Sequence, residues 1–405
     1  MNQQKVCKSV AKTLVILCCI GLFLWNSFSS LEKYFAKSST VTRSVNSNYD
    51  KLPFPSLSVC LKQPYNEKSI REKGINAAPW TYFTPVTIAK NESIDVKDWD
   101  SMVFNVDDVF DVNFDLPDAG NSFGPLIYLK DKDKVKIEHL DTFFDGRCFT
   151  VSTNETRPAH VALIIALKYP WPEYSSRNKF RVFIHAPEER INLVNQYWMA
   201  RPPNVIEIEP TTLVDLVMFT QEHNELSHDS SGRTRCQGQG WGPYFNCYHR
   251  ITKKLAPPSC ELPTTREIFK NDSLDNCTTF GEIKAFQNDF IGAMYKVQDQ
   301  CHGPCHYRSY KLQVKYYPCL VVNLRLIFPI FQARFMYING SAYNQTLIWY
   351  MHGSQDIDVF TEIRLYDFSA IVAAVGGSLG LFLGFSCLDT ILLFLKFIFT
   401  QGTNS

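Results

Sequence analysis

The sequence predicts a membrane protein of mixed α+β class, in which two transmembrane helices flank a large disulfide-rich ectodomain. Three observations predict it. Two long stretches without a charged residue lie close to the two chain ends. Nine of the 13 cysteines and all six N-x-S/T sequons fall between those stretches. Runs of β-branched and aromatic residues, the pattern of strands, recur in the same interval.

Composition narrows the function classes first. The 405 residues carry 41 basic and 40 acidic side chains, a net charge of +1, so no electrostatic footprint for nucleic acid is present. A hydrophobic share of 45% excludes wholesale disorder. The mean hydropathy of −0.15 excludes a many-spanning transporter but allows two concentrated spans.

Thr13 to Leu31 is 19 residues without a charge, and Phe368 to Leu388 is 21. At about 1.5 Å per residue, either helix covers roughly 30 Å, the thickness of a bilayer core. A buried helix of a soluble protein would carry a polar stripe, and neither stretch has one. Lys5, Lys8 and Lys12 before the first stretch place the N-terminus in the cytoplasm. That stretch exceeds a signal-peptide core and shows no clear small-residue cleavage site, so it reads as a retained anchor. The expected organisation is residues 1–9 cytoplasmic, 10–31 first span, 32–365 extracellular, 366–399 second span and 400–405 cytoplasmic.

Cys7, Cys18, Cys19 and Cys387 lie in or beside the spans. Cys60, Cys148, Cys236, Cys247, Cys260, Cys277, Cys301, Cys305 and Cys319 lie between them. Sequons at Asn91, Asn154, Asn271, Asn276, Asn339 and Asn344 share that interval, which agrees with an oxidising, secretory-pathway exterior. Nine is odd, so one thiol is left over or pairs with another chain.

Strands are expected at Phe54–Leu61, His160–Leu167, Lys179–Ala186, Val205–Ile208, Ser309–Tyr317 and Val359–Tyr366. Residues 62–146 read as short helices and loops. Residues 236–305 hold six of the nine exterior cysteines around a stretch that reads helical near Phe245–Lys254. The coarse picture is a β-rich core with a loop-and-helix insertion and a stapled helical lobe.

Four motifs then carry a resemblance. The run Gly376-Gly377-Ser378-Leu379-Gly380-Leu381-Phe382-Leu383-Gly384-Phe385-Ser386 resembles the GGxxGLFLGxS signature of the degenerin, epithelial sodium channel and acid-sensing ion channel superfamily. Phe54-Pro55-Ser56-Leu57-Ser58-Val59-Cys60 resembles its FPxVTxC strand, and Asp145-Gly146-Arg147-Cys148-Phe149 its GKCYTF element. Cys301-His302-Gly303-Pro304-Cys305, with Tyr307, resembles its CxxPC element. The matches keep the family's order along almost the whole chain.

The resemblance implies a β-rich palm-like core, a helical thumb-like lobe over 236–305 and a reduced finger-like insertion over 62–146. It implies the bridges Cys60–Cys148, Cys236–Cys305, Cys247–Cys301 and Cys260–Cys277. Two further rungs of the family's thumb ladder are missing, one at Ile251 with Asp299 and one at Leu262; Cys319 has no assigned partner. It implies a plasma-membrane homo- or hetero-trimer of related subunits, conducting sodium ions, sensitive to amiloride and gated through the ectodomain. Gly384, Phe385 and Ser386 would form the selectivity filter, with Asp389, Gly376, Gly377, Gly380 and Ser369 lining the pore.

Physical chemistry adds support and an alternative. A Gly-Phe-Ser tripeptide inside a membrane helix can break it into extended backbone, tolerated at that depth only where it lines water or protein. Three copies would offer carbonyls and hydroxyls to a dehydrating cation, and a carboxylate at Asp389 within the membrane is a functional candidate. Periodicity by itself fits helix packing, since Gly376, Gly380 and Gly384 recur every four residues. The alternative to pore lining for Asp389 is a helix-end group snorkelling to the inner interface.

The chain departs from the family at Leu392 and Ala374, where acidic residues are usual, and at Arg233, where a tryptophan is usual. No residues match its His-Gly motif before the first span. A non-conducting receptor or accessory subunit retaining the fold is therefore the alternative. An enzyme is not expected: the loose GxSxG match through Ser378 lacks a strand–turn–helix setting and catalytic partners, and no cofactor or metal motif occurs. Cys301, His302, Cys305 and His306 have zinc-ligand chemistry, but in an oxidising exterior disulfides win. The acidic groups Asp107, Asp108, Asp111, Glu188, Glu189, Glu207 and Glu209 could build a proton- or calcium-sensing pocket, with solvated surface as the simpler reading.

Overall fold

The computed structural model describes residues 3–47, 53–62, 66–72, 99–114, 126–142, 146–154, 162–170, 179–187, 204–229, 231–256, 260, 262, 265, 275, 277, 280–318, 345–354 and 356–384. The chain forms two compact units. One comprises Met1–Thr42, Glu225–Arg235 and Thr361–Ser405; the other comprises Arg43–Asn224 and Cys236–Phe360.

The elements in chain order are α1 (Gln3–Phe35), β1 (Ser39–Asn46), β2 (Ser56–Leu61), α2 (Glu67–Glu72), α3 (Trp99–Met102) and α4 (Val106–Val109). Next come β3 (Leu126–Tyr128), β4 (Val135–Thr142), β5 (Gly146–Thr153), β6 (Ala162–Lys168), β7 (Phe180–His185), β8 (Asn204–Ile208) and β9 (Thr212–Asn224). The last are α5 (Gly242–Leu255), α6 (Phe280–Gln300), β10 (His306–Pro318), β11 (Gln345–His352), β12 (Ile357–Arg364) and α7 (Phe368–Leu383).

A five-stranded sheet runs β4-β5-β2-β7-β8, and a seven-stranded sheet runs β1-β12-β9-β11-β6-β3 with β10 paired to β9. Core residues recur at every second position: Phe180, Val182 and Ile184 on β7, Leu163, Ile165 and Leu167 on β6, and Val214, Leu216 and Met218 on β9. That period of two is what puts one face of each strand into a shared core. Phe54, Phe149 and Tyr350 close it, with Phe54 edge-on to Tyr350 at a centroid distance of 5.0 Å.

All six expected strands are present. The insertion over 62–146 differs from expectation: besides α2, α3 and α4 it contains β3 and β4. β4 reads as loop in the sequence because its charged Lys136, Glu138 and Asp141 obscure the alternation, yet pairing with β5 holds it in register from Val135↔Thr153 to Thr142↔Gly146. Strands β1, β5, β9 and β11 also escape the sequence pattern. β1 is exposed along almost its whole length, and β9 carries the buried Asp215 among its apolar residues.

The helical lobe explains itself locally. Pro243 sits in the first turn of α5, where its missing N–H costs nothing, and Lys253 and Lys254 close the last turn against the helix dipole. Tyr244 and Tyr248 of α5 pack on Phe286, Phe290 and Met294 of α6. At the two missing rungs, Leu262 is fully buried and Ile251 packs against the same cluster. Where the bridges are lost, aliphatic packing takes their place.

In the first unit α1 runs 33 residues and α7 runs 16 up to Gly384. Among the described residues no helix is both long and apolar enough to cross a membrane.

Candidate functional site

α7 starts at a built cap. Asp367 is its N-cap, in extended backbone, and its carboxylate accepts from the Ala370 N–H at 2.7 Å and from Ser369 Oγ at 2.7 Å. The hydroxyl of Ser369 is thus engaged in the cap. Added Cβ atoms at Gly376 and Gly377 would meet no neighbour within 4 Å, so in the single chain these glycines are not forced by a close contact.

The helix ends at Leu383. Gly384 adopts φ 67° and ψ 13°, the left-handed region, and its N–H donates to the Gly380 carbonyl at 3.1 Å. A Cβ there would be strained whatever the space, so glycine at this position is a conformational requirement. Phe385, Ser386, Asp389 and Leu392 lie outside the described residues.

One polar contact joins α7 to α1. The Asn26 side-chain amide donates to Ser378 Oγ, and Ser378 Oγ donates to the Ala374 carbonyl at 2.6 Å. Ser378 is buried, and Ser30, also buried, donates to the Asn26 carbonyl at 2.8 Å. Beside this contact lies a cavity of about 440 Å³, lined among others by Leu22, Trp25, Ala373, Gly377, Leu381 and Phe382. Around it apolar side chains face outward: Leu17, Phe28, Val372 and Leu381 are all exposed, and Trp25 is 76% exposed.

Where α1 and α7 meet the strands, contacts become polar. Lys33 Nζ lies 5.4 Å over the Tyr366 ring and 3.4 Å from its hydroxyl. Leu365 N–H donates to the Ser38 carbonyl at 3.0 Å, and Thr42 Oγ1 to the Thr361 carbonyl at 3.1 Å. Glu362 accepts from Ser39, Leu226 and Arg235. Burial raises the Glu362 carboxyl, and these hydrogen bonds with the Arg235 charge outweigh it, holding the group below the usual carboxylate range. Arg233, at the usual tryptophan position, is exposed and pairs with Asp229 at 3.3 Å.

In the larger unit the cysteines join as Cys60–Cys148, Cys236–Cys305, Cys247–Cys301 and Cys260–Cys277. Cys60 and Cys148 are register partners on β2 and β5, which explains their Cα separation of 4.3 Å. Cys18 and Cys19 are free thiols, and Cys319 and Cys387 lie outside the described residues.

Because Cys301 and Cys305 are oxidised, they cannot serve as zinc ligands, and His306 Nδ1 instead meets Asn224 Oδ1 at 2.6 Å. Among the described residues no metal-ligand cluster occurs. Tyr307 of the CxxPC element stacks on His223 at 4.7 Å, and the other face of His223 stacks on Phe360 at 5.2 Å.

The acidic candidates disperse. Asp108 closes the capping box of α4 with Asn105, and Asp111 accepts from Gln345 at 2.5 Å. Glu207 pairs with Arg181 at 3.4 Å and Lys62 at 3.5 Å, while Glu209 pairs with Lys179 at 3.2 Å. Asp107 is exposed, and the other described acids make separate local contacts rather than one pocket; Glu188 and Glu189 lie outside the described residues. Of the sequons, Asn154 is described and exposed after β5, and Asn91, Asn271, Asn276, Asn339 and Asn344 lie outside.

Sequence reasoning missed the buried Arg147 of the GKCYTF-like element. Its guanidinium donates to Asp141 at 2.8 Å, to Asp100 at 2.5 Å and to Asn105 at 3.2 Å. Burial lowers its pKa, but the carboxylates of Asp141 and Asp100 raise it more, so the net shift is upward. The side chain ties α3 and the cap of α4 to β4. A lone arginine beside a cysteine gives no sign of this in sequence, because its partners lie up to 47 residues away.

A family model described as amiloride-sensitive sodium channel matches residues 13–391, from the first residue of the first uncharged stretch to past Asp389. No curated protein matches the chain. A cryo-EM structure of a proton-activated chloride channel is similar over 96% of this chain and 98% of that chain, at 9% identity and a TM-score of 0.37. That likeness is too low to carry an argument.

Proposed function

Because the chain belongs to the amiloride-sensitive sodium channel family, we propose that it is a sodium-permeable, amiloride-sensitive subunit of a trimeric cation channel, gated through its ectodomain. The observation that carries this reading is the left-handed Gly384 that ends α7. Ending a helix there leaves its last carbonyls without intrahelical partners, beside Phe385 and Ser386. Three such ends around an axis would present carbonyl and hydroxyl oxygens to a dehydrating cation. Asp389 would concentrate cations below them, where low dielectric strengthens its field. Ser369, Gly376, Gly377 and Gly380 would lie along the approach.

In the same proposal, residues 1–9 and 400–405 are cytoplasmic, 10–31 and 366–399 cross the plasma membrane, and 32–365 face outside. Support comes from the outward apolar side chains of α1 and α7, which suit lipid, and from four disulfides in the interval between. Glycosidase treatment tests the topology: a mass loss of several glycans is expected, and an unshifted band at normal surface expression contradicts it.

The alternative, a non-conducting receptor or accessory subunit, is favoured by one observation. At position 374 the family's usual acid is an alanine whose carbonyl accepts Ser378 Oγ and which lines the cavity between α1 and α7. Whole-cell recording separates the readings. Amiloride-blocked sodium current from this chain, with or without a related subunit, supports the channel; silence in both settings supports the alternative.

A further inference from the structure

One carboxylate outside the pore helix gathers four hydrogen bonds from two other chain segments. Glu362 of β12 accepts from Ser39 Oγ at 2.5 Å, from the Leu226 N–H at 3.1 Å, and from Arg235 Nη1 at 3.0 Å and 3.2 Å. One donor, Ser39, and the acceptor itself sit at helix roots, and the other donors lie in a separate segment. Ser39 opens β1, four residues after the end of α1, and Glu362 itself lies six residues before α7. Leu226 and Arg235 bracket the segment 225–235, and the next residue, Cys236, enters the Cys236–Cys305 bridge.

Burial and exposure divide the cluster. The Glu362 side chain is 10% exposed, whereas Arg235 is 43% exposed. The carboxylate is therefore fixed, while the arginine can trade its contact for water. The segment holding it is also internally tied: Asp229 accepts from the Arg233 N–H at 2.9 Å and from Ser231 Oγ at 2.6 Å, so it can move as one piece. An exchangeable, charge-assisted contact between an internally hydrogen-bonded segment and a largely buried carboxylate is the kind of contact a switching element makes and breaks.

We propose that Glu362 is a positioning residue for gating: it clasps segment 225–235 to the roots of both α1 and α7, and release of Arg235 from it changes the fraction of open channels. The proposal rests on the channel reading above. Its partner is within the chain, and the clasp needs no aromatic residue at position 233. Arg233 pairs with Asp229 instead, leaving Arg235 to reach the strand.

The test uses the full-length chain in voltage-clamped cells, comparing wild type with Glu362→Gln, Arg235→Ala, their double variant and the exchanged pair E362R with R235E. Steady sodium current per surface subunit is read at pH 7.4 and after a step to pH 5.5, together with unitary conductance and reversal potential. Each single variant should change the open fraction about fivefold or more in the same direction, as expected for one charge-assisted contact. The double variant should add little, because both singles break one clasp, and the exchanged pair should restore part of the effect. Conductance and reversal potential should stay at wild-type values.

Unchanged open fractions at normal surface density, or additive effects, overturn the proposal. So does a shift in conductance or reversal potential, which would put Glu362 on the ion path. If Glu362→Gln does not reach the surface, Ser39→Ala with Arg235→Ala supplies the same comparison from the donor side, because both remove hydrogen bonds to Glu362 and leave the carboxylate itself in place. A wild type that is silent both alone and with a related subunit defeats the channel reading itself, and the gating role with it; a conducting wild type with indifferent variants defeats the clasp alone.

Discussion

Phe149 and Leu381 are both large apolar side chains, yet the first is fully buried between two sheets and the second is 78% exposed on α7. The contrast extends to their surroundings. The sheet region encloses aromatic residues such as Phe149, Phe180 and Tyr350 and draws even a charged Arg147 inside, with matching carboxylates around it. The terminal helices turn Trp25, Phe28 and Leu381 outward and keep the polar Asn26–Ser378 contact between them. One chain thus shows two hydrophobic logics. The first is the ordering expected in water, and the second is the inverse ordering expected where the surrounding solvent is lipid.

Breaking the watery half should cost most where a charge is buried. Arg147→Ala leaves Asp141 enclosed without its partner and should lower stability by about 3–5 kcal/mol. Arg147→Lys should cost less, since it keeps the charge and loses the forked geometry. Thermal unfolding of the detergent-purified protein reads both.

The stapled lobe comes next. Cys247→Ser and Cys301→Ser should each cost about 2–4 kcal/mol, and the double variant little more, because they remove one bridge. Additive losses in melting temperature or surface yield would show that the two thiols do more than pair with each other.

A smaller, pH-dependent effect comes from His352. It is buried edge-on to Phe54 at 5.9 Å, and neither ring nitrogen has a hydrogen-bond partner among the described residues. Burial lowers its pKa from 6.5 to about 4. Between those values the unfolded chain binds a proton that the folded chain does not. Stability is therefore complete above about pH 6.5 and falls as the pH drops toward 4, by about 1 kcal/mol already at pH 5.5. His352→Leu should flatten that part of the melting-temperature profile; an unchanged acid slope would assign it to other groups.

The terminal helices, with their outward apolar side chains, should be the least sensitive. Leu381→Ala should change stability by less than about 0.5 kcal/mol, because lipid chains solvate either side chain. A loss of several kcal/mol in the assembled protein would show that Leu381 is covered by protein rather than lipid.

Much of this contrast is legible in the sequence, and for a physical reason. Uncharged stretches at Thr13–Leu31 and Phe368–Leu388, and strands such as β6 and β7 that are rich in apolar residues, announce themselves by composition. The four bridges emerge through motif resemblance, and the break after Leu383 emerges from Gly384. Strands stabilised mainly by pairing were not legible. β4 is too charged, β1 too exposed, and β9 too mixed for a period of two to stand out. Nor were the Arg147 network and the Glu362 cluster, since each gathers polar groups from distant positions that no local spacing connects.

The central claim, that Gly384-Phe385-Ser386 selects cations, is tested most directly by reversal potentials in mixed sodium and potassium solutions. Ser386→Cys and Ser386→Thr should change the sodium-to-potassium permeability ratio at normal surface density, and Asp389→Asn should lower cation conductance. A Ser386 variant that reaches the surface and conducts with an unaltered reversal potential, alongside Asp389→Asn at full conductance, would contradict the claim and leave the glycine run as a packing face.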